Sequence, residues 1–292
     1  MLLLNGTDVA KHRRESLKAK IAEFTKKSGR APALATILVG DDPASHVYVK
    51  NKRRTCAEIG IQSVDRDLPA DVSQAKLLET IKELNEDKNV DGILVQLPLP
   101  KHLDSELALE TLDPKKDPDG LTYENLGLLW GGKKRVAPCT PIGVMKILEH
   151  YKIDIAGKRA VVIGRSNIVG KPMAHLLQEA NATVTVCHSK TPDVKIHTRE
   201  ADIVVVAAGK ERFIGKDAFK KNSVVIDVGM HRPTQGEFAG KLCGDVKFEE
   251  LEGHVAAATP VPGGVGPMTI QMLLENTLAL AQAHEQLREG KR

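Results

Sequence analysis

Val161-Val-Ile-Gly164-Arg-Ser-Asn-Ile-Val-Gly170-Lys-Pro172 runs from an apolar, strand-like stretch through a glycine turn into a helix-like pattern. A chain that reverses after a strand needs a residue without Cβ there, so that amides at the next helix N-terminus can face a pyrophosphate. Gly164 supplies that turn. The spacing departs from the usual G-x-G-x-x-G, because Ser166 stands at the second glycine position and Gly170 comes one residue late. The stretch therefore reads either as a dinucleotide-binding turn or as a plain strand-turn-helix corner, and its surroundings must decide.

Working outward, Ala160 to Gly164, Thr183 to Cys187, Ile203 to Ala207 and Val224 to Val228 are short apolar runs, with a closing one near Val255 to Ala258. They predict a doubly wound parallel sheet. Upstream, Leu34 to Val39, Ile61 to Leu68 and Gly92 to Leu97 read as strands, alternating with helix-like Ser45 to Glu58 and Ser73 to Glu86. That alternation means a second α/β layer with a parallel sheet. A long first helix is expected from Thr7, its apolar positions being Val9, Leu17, Ile21 and Phe24. An interval rich in Pro, Asp and Gly, from Leu97-Pro-Leu-Pro100 to Gly120, interrupts the pattern, and the first domain ends near residue 140. After Pro260-Val-Pro-Gly-Gly-Val-Gly-Pro267, a terminal helix carries Ile270, Leu273, Leu274, Thr277, Leu278 and Ala281 on one face.

The chain has 292 residues, a length that suits two domains. Its net charge is only +4, with acids and bases interspersed, and aromatics make up 3%, so neither a nucleic-acid surface nor a base-stacking platform is expected. A small molecule is the expected partner. Cys56, Cys139, Cys187 and Cys243 are far apart, form no C-x-x-C and follow no signal-peptide-like opening, which suits reduced thiols in cytoplasm. No apolar run approaches the ~20 residues of a spanning helix, so a soluble protein without a membrane partner is expected. No metal site is expected.

A dinucleotide site chooses between NAD and NADP at the end of its second strand, where an acidic side chain would bind the adenosine ribose. Here that point is His188-Ser189-Lys190, without a carboxylate, and Arg165 stands directly after the turn glycine, where it can meet a 2′-phosphate. NADP is favoured, against the plainer reading of Arg165 and Lys190 as solvated charges.

In the first half, Tyr48 and Lys52 share a helix face at i and i+4, with Ser45 one turn earlier, at the carboxyl end of the sheet where α/β sites lie. A lysine that accepts a proton must first be neutral, and moving one from ~10.4 to ~7 takes roughly 4 to 5 kcal/mol of environmental bias. Gln96, ending the strand Ile93-Leu-Val-Gln96, can orient Lys52 without stabilising its charge. The competing reading is ordinary packing with a solvated amine.

Six motifs now stand in order: Tyr48-x-x-x-Lys52, Val95-Gln96-Leu-Pro-Leu-Pro100, Lys116-Asp-Pro-Asp119-Gly120, Cys139-Thr-Pro-x-Gly143, Gly164-Arg-Ser-x-x-Val-Gly170-x-Pro172 and Pro262-Gly-Gly-Val-Gly-Pro-Met-Thr269. Together, and essentially end to end, they resemble the bifunctional methylenetetrahydrofolate dehydrogenase/methenyltetrahydrofolate cyclohydrolases, whose turn has this late glycine. The resemblance implies NADP-dependent oxidation of 5,10-methylenetetrahydrofolate to the 5,10-methenyl cation, then hydrolysis to 10-formyltetrahydrofolate. It implies that Lys52 assists proton transfer in hydrolysis, that Gln96 holds and tunes it, and that Tyr48 packs on the folate. Asp119 would grip the pterin, whose adjacent N–H donors suit both carboxylate oxygens; alone, it reads as a turn residue. The resemblance further implies Gly164, Arg165, Ser166, Gly170 and Ser189 as NADP contacts, with Cys139, Thr140 and Pro141 bordering the cofactor. Gly263 and Gly264 would let backbone approach the ligands.

Two α/β domains are thus expected, 1–140 with 268–292 binding folate and 141–267 Rossmann-like and NADP-binding. In the family the terminal helix returns to the first domain and the second pairs in a homodimer. Met230-His231-Arg232 departs from the small apolar-asparagine pair common in related chains, and His231 reads as a loop residue rather than a catalyst. The weighed alternatives are another two-domain NADP dehydrogenase, such as one acting on shikimate, and a catalytically silent NADP-binding sensor.

Overall fold

The computed structural model describes residues 1–41 and 43–290, the side chains of 43–48 excepted. The chain opens on β1 (Leu2–Leu3) and α1 (Gly6–Ser28). A first series follows: β2 (Ala33–Val39), α2 (Pro43–Ile59), β3 (Gln62–Leu68), α3 (Gln74–Glu86), β4 (Gly92–Val95), α4 (Ser105–Thr111) and α5 (Tyr123–Trp130). The second series is α6 (Cys139–His150), β5 (Arg159–Ile163), α7 (Gly170–Glu179), β6 (Thr183–Cys187), α8 (Lys195–Thr198), β7 (Ile203–Val206), β8 (Val224–Asp227), β9 (Ala257–Ala258) and α9 (Val265–Glu289). Two compact units result, one holding Arg13–Ala137 and the chain from Leu273, the other Met1–His12 and Pro138–Met272. The terminal helix thus returns to the first series.

In the unit of the first series, β3, β2 and β4 form a parallel sheet in that order. All seven residues of central β2 are buried, which explains a continuous apolar run where a half-exposed strand would alternate. Ala35, Ile37 and Val39 face Leu77, Ile81 and Leu84 of α3. Each large aliphatic side chain so buried contributes about 1.5–3 kcal/mol. Ser73 caps the start of α3, accepting from the Lys76 amide, and buried Lys116 closes its end by donating to Leu84 O at 3.0 Å and Asp87 O at 2.6 Å. A cation there meets the negative end of the helix dipole, although burial pulls the Lys116 pKa below its ordinary value. The Pro-rich interval that interrupts the sequence pattern contains α4, started by Asp104 accepting from the Glu106 and Leu107 amides.

At the opposite end of this sheet from its carboxyl edge, Asp91 is fully buried in a clamp. Arg30 donates to both its oxygens at 2.7 and 2.8 Å, the Ala33 amide donates at 2.9 Å, and His284 of α9 lies 3.2 Å away. Three segments are tied through one carboxylate.

The other unit holds a six-stranded parallel sheet, ordered β1-β9-β8-β7-β5-β6. Its core includes Val161, Ile163, Val204, Val206, Val225, Phe219 and Leu251. β6 lies on one side of β5 and β7 on the other, so connections leave β5 in opposite directions and open a crevice at its carboxyl end. Gly164 is the first residue past β5. The sequence reading contains no β1, because two residues are too few to show a period; its place is fixed by the Leu2 amide on Ala256 O and the Leu4 amide on Ala258 O. Among the described residues, no helix is long and apolar enough to cross a membrane.

Burial alone would raise the Asp91 carboxyl, but bonds from Arg30, His284 and the Ala33 amide hold it below the ordinary carboxylate range. With a folded pKa below the unfolded one, the clamp's contribution is complete above ~3.9 and is lost as pH falls through the folded value. Asp91→Ala removes the carboxylate that takes both Arg30 bonds, leaving only Glu285 beside the guanidinium, and should lower the stability of this unit by about 3–5 kcal/mol in urea unfolding at neutral pH. The gap from the parent protein should narrow on acidification; an unchanged midpoint at neutral pH would refute the clamp.

Candidate active site

Lys52, on α2, is only 8% exposed, and its Nζ donates to Oε1 of Gln96 at 3.0 Å. Gln96 follows β4, its backbone N–H on Ile37 O, and its Nε2 donates to Leu97 O at 2.7 Å. This last bond fixes the polarity of the amide: with the NH2 committed to a carbonyl, the oxygen faces the amine. A glutamate here would set a carboxylate oxygen against the Leu97 carbonyl and hold the lysine charged. One turn beyond Lys52, burial and the charge of Asp65 push the Cys56 thiol up to about 12, making it a neutral packing group. The side chains of Tyr48 and Ser45 lie outside the described residues.

Asp119 is half-buried in a loop that its neighbours immobilise. Asp117 accepts from the Gly120 and Thr122 amides, both at 2.8 Å, and from Asn125 Nδ2 at 3.0 Å. Asn276 of α9 donates to Pro118 O at 2.8 Å and Ala137 O at 3.0 Å, while Gly120 turns the chain at φ +71°. Sequence reasoning selected Asp119 and missed both supports. Asp117 was visible in principle as an Asx turn ahead of Gly120. Asn276 is one polar residue on a long helix, and only packing gives it a role.

In the other unit, Gly164 leaves β5 at φ +134°, and a Cβ on it would stand 2.3 Å from the Ala207 carbonyl oxygen at the end of β7. Gly170 opens α7 against the Gly164 carbonyl, where a Cβ would be equally close, 2.3 Å. These two glycines let the chain turn tightly at the switch point, packed against the carbonyls of Ala207 and Gly164. Ser166 Oγ accepts from the Val169 and Gly170 amides at 3.2 and 3.3 Å, bracing the turn. The Arg165 side chain is exposed. After β6, Ser189 is exposed in a turn closed by the Thr191 amide on His188 O at 2.8 Å. Cradle, exposed guanidinium and hydroxyl-bearing turn fit a phosphorylated dinucleotide.

Cys139 and Pro141 are buried in the first turn of α6, and Thr140 Oγ1 lies 3.0 Å from Thr269 Oγ1 of α9. Gly143 packs so tightly that a Cβ would lie 3.1 Å from Met268 Cβ. Gly263 adopts φ +99°, open to glycine and strained for other residues, and its carbonyl accepts from Thr7 N at 3.0 Å and Thr7 Oγ1 at 3.3 Å. Gly264 is buried beneath Gly6, whose Cβ would overlap the Gly264 oxygen. Gly6 and Thr7 are further supports that sequence reasoning missed, since nothing local ties residue 6 to residue 264. Among the described residues, no group of His, Cys, Asp or Glu could hold a metal ion.

Residues 4–119 match the tetrahydrofolate dehydrogenase/cyclohydrolase catalytic domain, and residues 138–285 match the NAD(P)-binding domain of the same family. The bifunctional protein FolD of Bdellovibrio bacteriovorus is 60% identical over 282 residues, 97% of either chain. The crystal structure of the bifunctional enzyme FolD, methylenetetrahydrofolate dehydrogenase/cyclohydrolase, from Campylobacter jejuni is 49% identical with a TM-score of 0.92, covering 97% of this chain and 99% of that one. The N5,N10-methylenetetrahydrofolate dehydrogenase-cyclohydrolase of Trypanosoma brucei, solved with NADP cofactor and inhibitor, has a TM-score of 0.92 at 39% identity, covering 97% and 98%. With family matches in both halves and relatives alike over nearly the whole length, the chain belongs to the tetrahydrofolate dehydrogenase/cyclohydrolase family.

Proposed function

We propose that the chain is a bifunctional one-carbon folate enzyme. It oxidises 5,10-methylenetetrahydrofolate to 5,10-methenyltetrahydrofolate with NADP⁺, and hydrolyses the methenyl form to 10-formyltetrahydrofolate. The observation that carries the reading is the buried Lys52 amine on an amide of fixed polarity, the arrangement a proton carrier needs. Neither a shikimate-type dehydrogenase nor a silent NADP sensor accounts for Gln96, Asp119 and Gly263 together.

NADP, when bound, supplies the two-electron acceptor for the oxidation. Arg165 would hold its 2′-phosphate and Ser166 and Ser189 its polar edge, with Gly164 and Gly170 giving the backbone cradle and Cys139 and Thr140 the border. Gly263 and Gly264 lend their backbone to the ligands. In hydrolysis, water adds to the methenyl carbon and loses one proton, and the C–N5 bond then breaks as the remaining hydroxyl proton passes to N5, leaving the formyl group on N10. Lys52 Nζ takes the first proton as the C–O bond forms. Gln96 aims it, and an uncharged partner adds no bias toward the ammonium. Asp119 binds the pterin N–H donors from its braced loop, and Tyr48 packs on the folate. The domain assignment follows: folate on the unit of the first series, NADP on the other.

A cytoplasmic homodimer completes the proposal. Four free, buried cysteines suit a reducing compartment, and β6 leaves an open sheet edge with Thr183, Thr185 and Val186 exposed.

Lys52→Met should lower cyclohydrolase kcat by about 10²- to 10⁴-fold, the range of a lost general acid–base group, with the folded state and NADP⁺ binding retained. Normal hydrolysis of methenyltetrahydrofolate by that variant would remove Lys52 from the mechanism. Arg165→Ala should raise KM for NADP⁺ about 10- to 100-fold, the loss of a charge-assisted phosphate contact, while KM for NAD⁺ moves little. Equal effects on both nucleotides would argue against a 2′-phosphate contact.

A further inference from the structure

The crevice at Gly164 has a wall that sequence reading passed over. Asp245 is 0% exposed, and it accepts from three successive amides of the loop leaving β7: Ala208 at 2.6 Å, Gly209 at 2.9 Å and Lys210 at 3.0 Å. Directly before them stands Ala207, whose carbonyl closes on Gly164. His231, on the loop after β8, brings Nε2 to 2.6 Å from Asp245 Oδ1.

Asp245 is itself held. Asp227, at the end of β8, accepts from the backbone of Asp245 at 3.0 Å, Val246 at 2.9 Å and Gly229 at 2.9 Å. Burial pushes Asp227 up to about 6, with the Asp245 charge adding to it and the amides opposing. Glycine is required at two neighbouring positions: a Cβ on Gly229 would lie 2.2 Å from Asp245 Oδ1, and one on Gly244 would lie 1.9 Å from Asp227 Oδ2. The two carboxylates form a relay from β8 to the loop after β7, and His231 is its outermost member, with a side chain 22% exposed.

We propose that Asp245 and His231 are positioning residues for the oxidation step: Asp245 fixes the Ala207-to-Lys210 loop that walls the cofactor crevice, and His231 locks the Asp245 carboxylate. This rests on NADP lying at Gly164. Hydrolysis requires no nucleotide, so the relay should matter to one activity and not the other. That asymmetry separates positioning from general stability.

The test compares His231→Ala, His231→Asn and Arg165→Ala with the parent protein. It reads NADP⁺ affinity by calorimetry, amide exchange across Ala208, Gly209 and Lys210, the NADP⁺-dependent dehydrogenase rate on methylenetetrahydrofolate, and the cyclohydrolase rate on supplied methenyltetrahydrofolate. His231→Ala should weaken NADP⁺ binding about tenfold, as loss of one hydrogen bond to a charged group implies, and speed exchange at the three amides. Hydrolysis should be unchanged. His231→Asn, whose amide can donate to Asp245, should recover most of the affinity. Unchanged NADP⁺ affinity and exchange in His231→Ala, or a matching fall in both activities that His231→Asn does not rescue, would overturn the proposal. If Arg165→Ala also leaves NADP⁺ affinity unchanged, the cofactor placement fails and takes the proposal with it; if Arg165→Ala weakens binding and His231→Ala does not, the relay alone is refuted.

Discussion

The approach of Gly164 to the Ala207 carbonyl oxygen is the constraint on which the nucleotide side of this protein depends. A single carbon added at Gly164 would stand 2.3 Å from that oxygen, so alanine is already too large. A larger residue there would push apart the carboxyl ends of β5 and β7, where the strand order reverses. Arg165, Ser166 and the start of α7 all take their positions from this turn. Gly170 repeats the demand from the other side, packed on the carbonyl of Gly164 itself.

The unit that carries Lys52 obeys a different rule, set by charge rather than volume. A buried amine that is to accept a proton must not be paired so as to fix it as an ammonium. On the Gln96 side, the NH2 is committed to the Leu97 carbonyl and a neutral oxygen faces Lys52. The loop that carries Asp119 is set by backbone bonds instead. Asp117, Gly120 and Asn276 supply the rigidity through the backbone on either side. In both places backbone carbonyls and amides set the direction of a side chain to which the proposal gives a role.

Much of this was legible in order along the chain. The central strands of both sheets show as apolar runs because they are covered on both faces, β2 and β7 being buried at every position, whereas edge β3 (Gln62–Leu68) is largely polar. The glycine turn, Lys52, Gln96 and Asp119 stand out in the sequence because each sits in a local pattern. What escaped was long-range or very short. β1 has two residues, and Gly6 meets Gly264 across most of the chain length. Asp245 reads as an ordinary acid after Gly244, and its three amide partners lie more than thirty positions upstream. His231 was read as a loop residue, and it stands in a loop; its tie to Asp245 appears only once β7 and β8 are placed side by side.

The most direct test of the account is to mix the purified protein with 5,10-methylenetetrahydrofolate and either NADP⁺ or NAD⁺, following reduced nucleotide and the methenyl and formyl products separately. Reduction should favour NADP⁺ and end in 10-formyltetrahydrofolate faster than the methenyl form decays unaided. Accumulation of methenyltetrahydrofolate at its uncatalysed decay rate would contradict the role given to Lys52, and no reduction of either nucleotide would contradict the account as a whole.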